Sequence, residues 1–260
     1  MGLYFEFISN SIQKSLAYRV NIWMKLFGKI MYLLVQVSIW RALYASNASG
    51  GNGALKDMVT YIIVANVINT FIEFDIINFV NSKIQNGDIV LDLMKPFNYI
   101  GYVFCYGFGG NIVNIFSQTI PLLLCAVLFF GFRVQLGNYI LFFLLSLLLS
   151  IVISFLYAFL IGILAFWLFV TWPLNMLMNS IYKLLSGVWI PIWLFPGVLK
   201  KIVTFLPFQY IYYVPTLIFT KPQASSYEMI AGQLIWIVVL ALLCGVVWKR
   251  GRKKLVIQGG

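Results

Sequence analysis

The chain has 260 residues, of which 62% are hydrophobic and only 10% charged, and it contains no histidine. So little charge excludes a soluble domain, and without histidine there is no Ser-His or Cys-His catalysis, no imidazole proton relay and no histidine metal ligand. The net charge of +11 does not point to nucleic acid, because the basic residues are scattered along the chain and form no clustered face.

In residues 1–21, Ile8, Ile12, Leu16 and Val20 recur every fourth position, while Gln13, Lys14 and Ala17 fall elsewhere on the wheel. This spacing predicts a helix lying in the membrane interface, apolar face down. No signal peptide is expected, since a basic start, apolar core and small-residue cleavage site are missing. Met1-Gly2 does not continue into a myristoylation pattern, because position 6 is Glu6. Six apolar blocks then follow, at 22–43, 58–80, 101–131, 138–168, 174–194 and 229–248. A run of about 20 apolar residues crosses the hydrocarbon core as a helix, and helices satisfy their own backbone where lipid cannot. Asn47-Ala48-Ser49, after the first block, matches a glycosylation sequon, a motif short enough to occur by chance.

The loop at 81–97 follows the second block. Gly87 breaks the incoming helix, Asp88 is placed to cap a new one, and Pro96 ends the element after Lys95. A short helix with exposed Ile, Val, Leu and Met is therefore expected, either packed on the protein's own helix ends or docking a partner. The stretch 187–222, with its re-entrant part at 195–226, carries Pro191, Pro196, Pro207, Pro215 and Pro222 among Trp and Tyr residues. It predicts short helices dipping into the outer leaflet.

Lysine and arginine bias sets orientation. With the N-terminus inside, Lys14, Arg19, Lys25, Lys29, Lys83, Lys95, Lys249, Arg250, Arg252, Lys253 and Lys254 fall on the inner side, against Arg41, Lys56, Arg133, Lys200, Lys201 and Lys221 outside. Both termini are expected in the cytosol. Cys105, Cys125 and Cys244 all lie in apolar blocks and read as small buried hydrophobes.

Polar stripes run along three blocks: Asn66, Thr70 and Glu73 in the second; Gly107, Asn111, Asn114, Gln118 and Pro121 in the third; and Asn175, Asn179, Tyr182 and Ser186 in the fifth. Each keeps to one helix face and reads either as helix–helix packing or as the lining of a substrate path. Lys183 falls roughly 14 Å into the fifth block and Glu73 roughly 10 Å into the second. An unpaired central charge costs about 2.5–3.5 kcal/mol, so Glu73, or Asp75 beside it, is expected to neutralise Lys183. The alternative is that Lys183 meets an anionic substrate headgroup.

No Gly-x-x-x-x-Gly-Lys-Ser/Thr phosphate loop occurs, and no catalytic constellation appears. The order of elements, with Asn86-Gly87-Asp88-Ile89-Val90-Leu91-Asp92-Leu93-Met94-Lys95-Pro96, Ser186-Gly187-Val188-Trp189-Ile190-Pro191, Phe195-Pro196-Gly197, Leu206-Pro207-Phe208 and the tail from Arg250-Gly251-Arg252 to Gln258-Gly259-Gly260, resembles permease subunits of ABC-2 type ABC exporters. The resemblance covers essentially the whole chain. It implies an all-α integral membrane permease domain over 1–260 with six transmembrane helices, an N-terminal interfacial helix, a cytosolic coupling helix between spans 2 and 3, and outer re-entrant helices before span 6.

The resemblance also implies a non-enzymatic cell-membrane subunit paired with a second permease, identical or sister, amid membrane lipids. ATP and Mg would bind a separate ABC ATPase, and this chain would hold no cofactor. Gly87, Asp88, Leu91, Leu93, Met94 and Lys95 would couple the two. Asn66, Thr70, Glu73, Asn175, Asn179, Tyr182, Lys183 and Ser186 form the candidate translocation path. The cargo would be a lipid, an amphipathic peptide or a drug-like molecule. An ion-gradient-driven secondary transporter is the alternative, weakened by the lack of an internal repeat and of broken helices outside the outer segment.

Overall fold

The structure is a computed structural model and describes residues 2–46, 52–132, 137, 139–168, 172–221 and 225–258. The sequon at Asn47-Ala48-Ser49 lies outside these residues. All regular structure among them is helical: α1 Gly2–Ala17, α2 Arg19–Ser46, α3 Asn52–Ile72, α4 Ile76–Gln85, α5 Ile89–Leu93, α6 Tyr99–Phe130, α7 Ile140–Ile163, α8 Trp172–Leu185, α9 Gly197–Thr204, α10 Tyr213–Thr220 and α11 Ser226–Gln258. Among the described residues, five stretches are long and apolar enough to cross a membrane: Arg19–Ala45, Gly53–Gln85, Tyr99–Phe130, Ile140–Phe166 and Ser226–Lys254.

α7 is strongly apolar apart from one row of serines, which suits a helix enclosed by others, and it is the most deeply buried of the long helices. It packs against α3, α4, α10 and α11. With it, Tyr61, Ile62, Ile63 and Ile68 of α3 and Phe159 and Ile163 of α7 fill the core. α2, α6 and α11 turn most of their side chains outward.

The expected stripe is divided between two helices. A turn at Tyr18 separates α1 from α2, so Val20 belongs to the next helix, and Leu16 and Val20 are both exposed. Another side of α1 crosses α6 through small residues. Ser11 is buried and its hydroxyl donates to the Tyr106 carbonyl at 2.7 Å. A Cβ on Gly109 would stand 2.6 Å from the Ile8 carbonyl oxygen, so only glycine permits the approach. At the start of α1, Phe7 packs edge-on to Phe97 and Tyr102, and the Asn98 amide donates to the Tyr4 hydroxyl at 3.3 Å. Gly109→Leu is therefore expected to lift α1 off α6. A Ser15→Cys, Gly110→Cys pair, in a background lacking the native cysteines, should crosslink efficiently with Gly109 present and fail to crosslink with leucine there.

The fifth apolar block does not form one long helix. α8 has 14 residues, about 21 Å at 1.5 Å per residue, against a core of about 30 Å. Gly187 stops it. Its φ of +86° is a left-handed value, and its carbonyl accepts a 2.8 Å hydrogen bond from the buried Tyr61 hydroxyl. Gln36 of α2 secures the same turn, donating to the Val188 and Trp189 carbonyls at 3.1 and 3.3 Å. Beyond it come the expected short pieces: a 3-10 turn at Ile192–Leu194, α9, a second 3-10 turn at Pro207–Tyr210, and α10. Gln233 of α11 holds this segment down through the Tyr210 carbonyl at 2.9 Å and the Ser150 hydroxyl at 3.0 Å.

Candidate functional site

The second apolar block is interrupted. Glu73, Phe74 and Asp75 are not helical, and α3 and α4 meet across them. A helix end leaves its last carbonyls without intrahelical partners, and broken backbone at membrane depth persists only where protein or a wet cavity covers it. Both conditions are met. The Asn111 amide of α6 donates to the Phe71 carbonyl at 2.7 Å, and the Ser154 hydroxyl of α7 reaches the Ile72 carbonyl at 3.4 Å. The three non-helical residues line a cavity of about 860 Å³. The expectation that only the outer segment is broken is thereby corrected; Glu-Phe-Asp contains no Gly or Pro to announce the interruption.

The cavity is bounded by α1, α2, α3, α4, α6, α7 and α8. Ser11, Lys14, Tyr18, Asn21 and Lys25 contribute from the α1–α2 side, and Asn69, Tyr182 and Tyr212 from the opposite one. There the Tyr212 hydroxyl donates to Asn69 Oδ1 at 2.7 Å, and the Tyr182 and Tyr212 rings pack at 5.7 Å. Lys14 Nζ donates to the Tyr106 hydroxyl at 3.0 Å. That hydrogen bond raises the lysine above its ordinary pKa, so it is charged at neutral pH.

Glu73 pairs with Lys29 of α2, Nζ to Oε2 at 2.7 Å, and not with Lys183. The other proposed counter-ion, Asp75, accepts from the Asn78 amide at 2.7 Å. The expected neutralisation of Lys183 by either acid is thus overturned. Its premise was similar depth measured from the inner ends of the two blocks, and depth does not say which helix faces which; Lys183 lies in the last turn of α8, which ends at Leu185. Lys29, inside the first apolar block, is the cation the Glu73 carboxylate needed.

At the α4 end of the molecule α5 forms a five-residue helix. Gly87, with φ of +78°, lets the chain reverse out of α4. Ile89 and Asp92 turn inward; Asp92 accepts from Lys83 at 3.1 Å and from Lys95 at 3.3 Å. Val90, Leu91 and Met94 point away from the protein at 45%, 62% and 78% exposure. Asp88 holds the N-cap position of α5, but its φ and ψ are already helix-like and its side chain makes no cap hydrogen bond, so the expected capping role is not observed.

Residues 24–259 match the family described as ABC-2 family transporter protein. The chain belongs to the ABC-2 transporter family. Comparison with curated proteins gives no match. Family membership and the long apolar helices make this ABC-2 protein a multi-pass membrane component of an ABC transporter system.

The ABC-2 chain divides its polar stripes between two tasks. Glu73, Asn179, Tyr182 and Lys183 line the cavity, as do Gly107, Asn111 and Asn114 of α6. Asn66 instead donates to Gln36 Oε1 at 2.9 Å and so braces the residue that fixes the turn after α8. Thr70 shares a 2.7 Å hydrogen bond with Thr119. Buried Asn175 donates to Asn78 Oδ1 at 3.4 Å, and the Ser186 hydroxyl donates to the Lys183 carbonyl at 3.1 Å. Gln118 donates to Asn114 Oδ1 at 3.1 Å. On the exposed loop, Gly87, Asp88, Leu91, Met94 and Lys95 are all accessible and Leu93 is half-buried. Asp92 and Lys83, absent from the predicted set, hold that loop in shape.

Proposed function

We propose that the chain is the transmembrane permease subunit of an ATP-driven ABC exporter, crossing the cell membrane six times with both termini in the cytosol. α8 and the turn after it make the short fifth crossing, and α9 and α10 form the outer re-entrant segment. A separate ATPase carries ATP and Mg, and a second permease, identical or sister, completes the pair. The cargo is a lipid, an amphipathic peptide or a drug-like molecule, and the cavity lies on its path.

The observation that carries this reading is α5. Exposed Val90, Leu91 and Met94 stand on a loop whose inner side is pinned by Asp92, Lys83 and Lys95. An apolar patch held rigidly at the end of a helix pair suits a socket on another protein. Mild-detergent purification of the tagged chain with mass spectrometry tests it. A stoichiometric ATPase bearing a phosphate loop is expected.

The break at Glu73–Asp75 favours the second reading, an ion-gradient-driven transporter, because discontinuous helices form ion sites in such proteins. A preparation free of ATPase that transports in liposomes under an ion gradient would establish that reading and overturn the first.

A further inference from the structure

The charges in the cavity do not balance. The Lys29–Glu73 pair feels the charges of both Lys25 and Lys183, so these cations gather round one carboxylate, and that carboxylate is already engaged by Lys29 at 2.7 Å. Asp75 is engaged by Asn78. Among the described residues, no carboxylate lies within ion-pair distance of Lys25 or Lys183. The helix dipole at the last turn of α8 favours Lys183 only weakly and does not replace a counter-ion. The excess is also patterned. Asn21 and Lys25 on α2, and Asn179 and Lys183 on α8, are each four residues apart and all line the cavity. Four-residue spacing puts an amide and an ammonium on one helix face, twice, on two walls of one cavity.

The geometry points to a phosphate-class anion site in the cavity, bound by Lys25 and Lys183 with Asn21 and Asn179 as flanking donors, whose natural source is the headgroup of an amphiphilic cargo. This rests on the cavity being the transport path. It narrows the cargo to molecules carrying an anionic oxyacid group.

The test uses the purified transporter, with its co-purifying subunits, in nanodiscs of phosphatidylcholine containing a minor share of phosphatidylglycerol. Native mass spectrometry counts the lipids retained, and inorganic phosphate is titrated separately as a competitor. The wild type is expected to prefer phosphatidylglycerol over phosphatidylcholine by about tenfold. The Lys25→Gln, Lys183→Gln double variant should lose that preference, and Lys25→Arg, Lys183→Arg should keep it.

Displacement of the lipid by millimolar phosphate would support the site with the free anion sufficing. Retention of lipid against phosphate would support it with the headgroup and its chains as source. Equal retention of both lipids by the wild type, or unchanged preference in the glutamine variant, would overturn the proposal. The same samples report the ATPase. Its presence without lipid preference removes this inference alone, and its absence removes the exporter reading while the lipid count still stands.

Discussion

Leu91→Asp is expected to leave the permease inserted and folded while abolishing its stimulation of ATP hydrolysis. Leu91 is 62% exposed, so a carboxylate there disturbs none of the chain's own core. In an apolar socket on a partner, the same carboxylate would be buried without a counter-ion, and the desolvation cost of several kcal/mol removes binding outright. A conformational change requires differential interaction between states, so loss of this contact disconnects hydrolysis from the spans. The readout is transport-linked ATPase activity of the reconstituted complex, with membrane insertion as the control. Normal stimulation in the variant would show that α5 is not the coupling contact.

Asn111→Leu is expected to destabilise the fold by about 1–2 kcal/mol. Interhelical hydrogen bonds in membranes average about 0.6 kcal/mol, but Asn111 is a special case. Its amide serves the Phe71 carbonyl at a helix end, where leucine would leave a buried acceptor unpaired. Asn179→Leu, also in the cavity wall but exposed, should leave the melting temperature unchanged. Thermal denaturation of the purified protein checks both. Equal melting of the two variants would mean that the Phe71 carbonyl finds another donor.

What the sequence announced and what it hid follow from the range of the interactions. α5 was legible because Gly87 and Pro96 punctuate it locally, and the pieces after Gly187 were legible because prolines divide them. The break at Glu73–Asp75 was not. Its relief comes from Asn111 and Ser154, 40 and 82 positions from the carbonyls they serve, and no local residue signals it. The end of α8 was misplaced for a related reason. A glycine is also compatible with a continuing membrane helix, and the turn that Gly187 makes here is secured by Tyr61 on α3 and Gln36 on α2. The stripes were real helix faces, yet spacing cannot tell a cavity wall from a seam. Asn66 and Thr70 bond across helices, whereas Glu73, next in the same stripe, opens onto the cavity. Lys29 was visible as a cation inside an apolar block, and counting it as a loop residue concealed the partner of Glu73.

The interruption between α3 and α4 also divides the molecule mechanically. α4 is bound to α7, where Val80 closes on Gly162 so tightly that a Cβ there would meet it at 3.0 Å. α4 is tied to α5 through the Lys83–Asp92 pair. α3 is fastened mainly to α6, α2 and α10, and less extensively to α7. On the exporter reading, a stroke delivered to α5 therefore moves α4 as a lever whose fulcrum is Glu73–Asp75. Spin labels on α3 and α4 should change separation on nucleotide binding to the complex, and an unchanged distance would mean a rigid joint. Because the fulcrum carries the carboxylate that holds Lys29, each swing of the lever also rearranges the charge presented to whatever occupies the cavity.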